Sequence, residues 1–520
     1  MRGGELATFI RKNIRGFNSG AMSVTILLEA FYYFRIHFWK WPNFNWFGGE
    51  DQAHYLAAAR AWSVGNFDPT AHYYLPGYAL LAAGFARILS PQPFMLVDFA
   101  CIIATFGLFV AVCRHLAPDS RYATLLACLA FLIATLSVQQ ALIVWVVPWT
   151  TTPAAPLTLW ALLSALHFAT RPSARPAFLG AFAATLIAWF RPADSAAALG
   201  CLGIFMLWVV LNRRVALRDV TRYAVVAMSA VVLAVAPLAA VHHWIFGSAI
   251  DPYLTRSAST GFEWRLIPIR WVTIVLDPRP LFPQGPGLIS VFPWIVPGIA
   301  GLLFSLLRRP REAHALVGGA VAVSWLLYLS YRDLQVPALW VDANYHYFKW
   351  MLLFLAFYAL LWVRGLMRRS SRLAAILSAG TVIAILLPWR ASLDIYKTSP
   401  TTITRQSDGR AVLSLPDGLA RLDDAVLLTT GVGWEDVNNG FFDPAIAGQP
   451  ISTPMALGVY SRPPGLMIIP LRRLPPGPAT VVLDRQVVVE PEETLSLAHQ
   501  TISYGLPCIF ARWVPACQSQ

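Results

Sequence analysis

Charge is the scarcest ingredient of this chain. Asp, Glu, Lys and Arg make up 13% of its 520 residues, where a soluble globular domain carries about 25%. With 57% hydrophobic residues and a mean hydropathy of +0.55, that shortage excludes a soluble enzyme as the whole molecule. Cysteine is also sparse. Cys101, Cys113, Cys128 and Cys201 fall in apolar runs and read as inert packing residues. Cys508 and Cys517 lie in a polar tail, and no cysteine spacing suits a metal site. Gly431-Val432-Gly433 is too short to argue a dinucleotide fold. Ten-residue alternation is missing, which argues against an outer-membrane barrel, and there is neither an internal repeat nor a low-complexity tract.

What is present is a succession of apolar runs long enough to cross about 30 Å of hydrocarbon. They predict spans at 20–39, 94–113, 122–141, 153–170, 177–190, 195–211, 223–246, 288–307, 314–331, 348–366 and 373–389. The chain therefore reads as a polytopic α-helical membrane protein with about eleven transmembrane helices. Residues 76–90 are apolar but short; a crossing there would put every later Arg-rich loop outside, so they read as an interfacial or re-entrant helix.

The net charge of +13 and the pI near 9.7 raise nucleic acid as a partner, and the distribution answers against it. Arg2, Arg11, Lys12 and Arg15, then Arg114 and Arg121, Arg171 and Arg175, Arg213, Arg214, Arg218 and Arg222, Arg308, Arg309 and Arg311, and Arg364, Arg368, Arg369 and Arg372 occupy short connections that share one side. This positive-inside pattern sets the N-terminus in the cytoplasm. Basic residues before the first apolar run, without a small-residue cleavage site, read as an uncleaved anchor. Residues 1–390 form the transmembrane module, with outer loops 40–93, 247–287 and 332–347. From residue 391 short β-type runs alternate with turn residues, as in RAVLSLPDG, DAVLLTTGVGW and TVVLDRQVVVEP. Residues 391–520 read as a small α/β or mostly-β soluble domain, placed outside by an odd number of spans. In that oxidising setting Cys508 and Cys517 are expected to form a disulfide.

The first outer loop carries GGEDQAHYLAAARAW (48–62) and then HYYLPGY (72–78). Glu50 and Asp51 open a helix on which Asp51, His54 and Tyr55 share one face by i, i+3, i+4 spacing. Acidic residues in a first turn stabilise the helix dipole whatever the function. The functional alternative is a carboxylate base in a partly desolvated cleft, within reach of a hydroxyl. Asp68-Pro69 starts a turn. His72, Tyr73 and Tyr74 precede Pro76-Gly77-Tyr78, where Pro76 suits a first helical position. Trp41, Phe44, Trp46, Phe47 and Trp62 read as an interface belt.

Arg191-Pro192 ends one span on the outer side, where topology does not explain an arginine. It either snorkels to headgroups or binds a substrate phosphate. The loop 247–287 adds Arg256, Glu263, Arg265, Arg270, Asp277 and Arg279. Such arginines are either a solvated face or a phosphate clamp beside an apolar groove. Asp342, Asn344, Tyr345, His346, Tyr347 and Lys349 precede the tenth span, with Lys349 an anchor or a phosphate ligand. Adjacent His242 and His243 diverge by about 100° on a helix, which is poor geometry for one metal.

The set GGEDQAHYLAAARAW, NFDPTAHYYLPGYALLAAG, WFRPAD (189–194), DPRPLFPQGPGLISVFP (277–293) and NYHYFKW (344–350) resembles the GT-C glycosyltransferases. Among these are bacterial relatives of protein O-mannosyltransferases and of the aminoarabinose transferases that modify lipid A. The resemblance covers roughly residues 20–390 in architecture and rests on short motifs. It implies a bacterial inner-membrane enzyme that takes a sugar from a polyprenyl-phosphate carrier on the extracytoplasmic face. The acceptor is a hydroxyl of a glycan, lipid or protein, and the transfer is inverting. It implies Asp51 as the general base with Glu50 as its neighbour, and it leaves a divalent metal open. His54, Tyr55, His72, Tyr74, Arg191, Arg256, Arg265, Arg279, Tyr345, His346 and Lys349 are the candidate substrate and phosphate contacts. Some relatives follow two adjacent acids with a basic residue; here Gln52 and His54 occupy that region, so donor and acceptor identities do not transfer. The competing class is a transporter or flippase of lipid-linked saccharides, which favours ionisable residues at mid-membrane and repeated halves. A ligase that moves whole glycans shares the fold class and differs in donor.

Overall fold

In a computed structural model the described residues are 3–40, 50–89, 92–118, 120, 122–213, 215–250, 252–255, 261–276, 287–308, 310–331, 334, 344–367, 376 and 379, together with strand segments between 398 and 500. Arg256, Asp277, Arg279, Cys508, Cys517 and most of the expected span 373–389 lie outside them.

The chain is an α-helical membrane protein. Helix α1 (Gly3–Arg35) is followed by α2 (Glu50–Val64), α3 (Pro76–Ala86), α4 (Met95–Leu116), α5 (Ala123–Leu136), α6 (Gln139–Val146), α7 (Thr151–Thr170), α8 (Ala174–Leu186), α9 (Pro192–Asn212) and α10 (Leu217–Phe246). Further helices cover Ile295–Leu306, Arg311–Ser330 and Lys349–Met367. Proline opens α3 and α9 at the first helical position, where its missing N–H removes no helical bond. Gly247 closes α10 in the left-handed region at φ 67°, a conformation that carries no steric cost without a Cβ.

Among the described residues five helical segments are long and apolar enough to cross a bilayer: Met95–Leu116, Pro192–Asn212, Leu217–Phe246, Arg311–Ser330 and Asn344–Met367. Several expected spans are interrupted. The run 122–141 divides at Ser137-Val138, where Val138 is extended and α6 begins anew. The run 288–307 divides at Pro293 into Leu288–Val291 and Ile295–Leu306, since proline supplies no N–H to continue the helix. Helix α3 is only 11 residues long, about half a crossing at 1.5 Å per residue.

By contacts the chain forms two compact units. The first comprises 1–259, 292–327 and 345–388. In it 67% of the most apolar window of Asn344–Met367 is buried, against 17% for α10, so the former is central and the latter peripheral. The outer face of α10 shows Val225, Met228, Val232, Leu233 and Trp244, an apolar surface suited to lipid. The 295–306 and 349–367 helices approach closely because Gly298 and Gly301 carry no side chain. A Cβ on Gly298 would collide with the Leu355 carbonyl oxygen, and one on Gly301 with that of Tyr358. Small residues that bring helix backbones together are a common membrane packing device.

The second unit comprises 260–291, 328–344 and 389–520. In it Arg270 donates to the Leu329 and Tyr331 carbonyls, and Phe262 pairs with Tyr331 in an antiparallel bridge. Its strands are β1 (Thr398–Thr401), β2 (Ile403–Arg405), β3 (Ala411–Leu415), β4 (Ala425–Thr430), β5 (Ala445–Ile446), β6 (Gln449–Pro450), β7 (Gly465–Pro470), β8 (Ala479–Leu483) and β9 (Leu497–Gln500). They make two sheets in the orders β1-β9-β4-β7 and β2-β3-β8-β5-β6, with antiparallel pairings throughout.

Candidate functional site

Within the first unit the N-terminal ends of several helices converge. Residues 148–152, which lead into α7, are the hub. The Pro148 carbonyl accepts from the buried Gln52 side chain at 3.2 Å. The Trp149 ring stacks on His346, with centroids 4.0 Å apart. Thr150 Oγ1 accepts from Arg191 Nη1 at 3.2 Å and is hydrogen-bonded to the Tyr55 hydroxyl. Thr151 Oγ1 is 3.0 Å from His346 Nδ1. Thr152 Oγ1 accepts from Lys349 Nζ at 2.6 Å. Three consecutive threonines thus meet an arginine, a histidine and a lysine from two other elements.

The two cations are held differently. Arg191, at the N-cap of α9, pairs with Asp194 one turn on, Nε to Oδ2 at 2.7 Å, and lies 4.6 Å over the Tyr347 ring. Both side chains of that pair are mostly covered, at 16% and 15% exposure. Lys349 is 1% exposed; it also reaches the Val144 carbonyl at 3.3 Å and sits 4.7 Å from the Trp145 ring centroid. Asp98, in the first turn of α4, is fully buried and close enough to interact electrostatically with Lys349. Its carboxylate lies 2.8 Å from the Tyr78 hydroxyl through both oxygens. Tyr78 belongs to the Pro-Gly-Tyr turn, and the preceding glycine is required there. A Cβ on Gly77 would stand 2.6 Å from the Trp189 carbonyl oxygen and 2.8 Å from Trp189 Cβ. That contact seats α3 on the turn just before Arg191.

Beside this corner α2 presents Asp51, half-buried, whose Oδ1 accepts from the Tyr74 hydroxyl. Burial first, then the Asp51 charge, raise the pKa of Tyr74 well above its ordinary value, so at neutral pH Tyr74 is a donor and not a base. Tyr55 is shifted the same way, by burial and then by Asp51, with Arg191 opposing. One phenol therefore feels both the carboxylate and the guanidinium. His54 stacks on Tyr73 at 4.2 Å, and Tyr253 packs 4.9 Å from Tyr74, completing an aromatic wall at Asp51.

Of the residues singled out from sequence, Asp51, Tyr55, Tyr74, Arg191, His346 and Lys349 gather here, with His54 at the edge. Glu50 opens α2. Tyr345 is buried against Phe292. His72 bonds through Nε2 to the Asn66 carbonyl at 2.9 Å and packs on Trp62, so it closes its own loop. Arg265 belongs to the second unit and lies over the neighbouring Trp264 ring. Sequence reasoning missed Thr150, Thr151, Thr152 and Asp98. The available signals were a proline-bounded triple threonine at a helix start and a carboxylate inside an apolar run. Among the described residues no three His, Cys, Asp or Glu converge as metal ligands.

Neither a protein-family model nor a curated protein matches the chain in sequence.

Proposed function

We propose that the protein is a membrane glycosyltransferase that moves a sugar from a polyprenyl-phosphate carrier to an acceptor hydroxyl on the extracytoplasmic face. The observation that carries this reading is the adjacency of an anion-suited corner and a tethered carboxylate. Arg191 and Lys349 donate to Thr150 and Thr152 at the start of α7, where the helix dipole also favours negative charge, and Tyr55 feels both the Asp51 carboxylate and the Arg191 guanidinium. Nucleotide sugars are cytoplasmic, so an outer site requires a lipid-carried donor.

In this reading the carrier phosphate sits against Arg191 and Lys349. Asp51 takes the proton of the acceptor hydroxyl, whose oxygen attacks the anomeric carbon. The bond from that carbon to the phosphate oxygen breaks with inversion, and polyprenyl phosphate leaves with its charge stabilised by the two cations. Tyr74 keeps the carboxylate in place. A small pocket among α7, α9 and the 311–330 and 349–367 helices is lined by Asp194, the partner of Arg191, and by small residues such as Ala197, Ala198 and Ala320. About eleven spans, a cytoplasmic N-terminus and an extracytoplasmic domain from residue 391 belong to the same proposal.

A second reading, transport of a lipid-linked saccharide, has one observation in its favour. Ionisable groups do not keep to the outer loops: Glu29 and Asp98 are buried at 3% and 0% exposure within helices, as transporters use them. Radiolabelled polyprenyl-phosphate sugars, offered to the full chain in liposomes, separate the two. Label moved onto a glycan, lipid or protein acceptor supports transfer. Intact carrier crossing the bilayer, with no label moved, overturns it.

A further inference from the structure

Glu29 is unused by the proposed chemistry, and its surroundings are unusual. It lies in α1, whose opposite face shows Val24, Leu27, Leu28 and Phe31 outward. Its carboxyl meets the Thr135 hydroxyl of α5, which is itself fully buried. Thr135 Oγ1 is also 2.7 Å from the Phe131 carbonyl of its own helix. One hydroxyl carries one hydrogen, yet it faces two acceptors if Glu29 is ionised. Ionisation also leaves a buried negative charge without a cation, the costliest state for such a group. The groups facing this stretch of α1 are Thr25 and Tyr33 along the helix, Cys128 and Thr135 from α5, and Asp98 and Cys101 from α4, which act on Tyr33; His37, two turns beyond Glu29, packs on Tyr33 and bonds to Gln92. Among the described residues no lysine or arginine belongs to this group.

A protonated Glu29 resolves both problems. We propose that Glu29 is a proton-binding site embedded in the helix bundle: the neutral acid donates its O–H to Thr135 Oγ1, and Thr135 gives its own hydrogen to the Phe131 carbonyl. Every hydrogen then has one acceptor. Such a group takes and releases its proton within the helix bundle. This inference does not depend on glycosyl transfer.

Two measurements on the full chain in liposomes test it. The first is dicyclohexylcarbodiimide, an apolar reagent that requires the protonated acid. The acid O–H adds across one C=N bond and the acyl group migrates to nitrogen, so the adduct keeps every atom of both reactants. Peptide mass analysis should find the adduct on Glu29 at neutral pH and lose it in Glu29→Gln. The second is infrared spectroscopy, where the C=O band of a protonated carboxyl should vanish in Glu29→Gln. Because Glu29→Gln can fold poorly, Thr135→Val gives an independent readout: removing the acceptor should shift that band upward and leave it present. No adduct in folded protein, with a carboxyl region unchanged by both substitutions, shows an ionised Glu29 and overturns the proposal.

Discussion

Gly77→Ala tests the packing that underlies the site. The added methyl would sit 2.6 Å from the Trp189 carbonyl oxygen, 2.8 Å from Trp189 Cβ and 3.0 Å from Phe190 Cε1. Two of these neighbours are fixed by the backbone, so relief requires α3 to lift from the turn before Arg191. Overpacking of this kind costs about 1–3 kcal/mol. Alanine also gains about 1 kcal/mol over glycine in a helix, which masks part of the loss. Gly84 supplies the control, because it lies in the same helix with nothing within 4 Å of its added Cβ. The propensity gain is roughly common to both variants, so Gly77→Ala should be less stable than Gly84→Ala by about 1–3 kcal/mol. Thermal unfolding of the purified variants in one detergent reads the difference directly. If Gly77→Ala melts at or above Gly84→Ala, the close approach of α3 to Trp189 is not a constraint and the argument from Gly77 fails.

Tyr78→Phe should destabilise by about 1–3 kcal/mol by leaving the buried Asp98 carboxylate without its hydroxyl donor, and wild-type thermal stability in that variant would contradict the arrangement. Arg191→Lys keeps the charge but loses the fork that holds Asp194, Thr150 and the Tyr347 ring together. Loss of charged hydrogen bonds worth about 1.5–3 kcal/mol should raise KM for the lipid-phosphate donor at least about tenfold, and an unchanged KM removes Arg191 from the phosphate site. A periplasmic reporter fused after residue 400 should be active; activity of a cytoplasmic reporter alone reverses the topology. Thiol labelling of the unreduced protein should spare Cys508 and Cys517, and labelling at both excludes their disulfide.

The α-helical character of the chain and the acidic opening of α2 were legible in the sequence because apolar run length and helix-start residues act locally. Breaks within runs were harder. Pro293 announces its break, whereas Ser137-Val138 does not, since neither residue forbids a helix. At the site, Arg191 and Lys349 stood out because the topology read from the sequence left cations at those helix starts unexplained. Their meeting point did not stand out. Thr150, Thr151 and Thr152 are uncharged, are ordinary at a helix start, and gain meaning only when the fold brings His346 and Lys349 from nearly two hundred residues away. Asp98 and Glu29 were absorbed into hydrophobic windows long enough to tolerate a charge or two. Their hydroxyl partners, Tyr78 and Thr135, come from other helices, and such pairing has no local signature.

The central claim is that Asp51 is the base of a transfer reaction, and Asp51→Asn tests it most directly. Asparagine preserves size and can still accept from Tyr74, so expression and thermal stability should hold while basicity is lost. Removing a general base costs about 10²–10⁴-fold in rate. Label transfer from a radiolabelled polyprenyl-phosphate sugar, measured for wild type and variant in the same liposomes, should fall by that factor. Full transfer by Asp51→Asn contradicts the account and leaves the first turn of α2 with only its helix-dipole role.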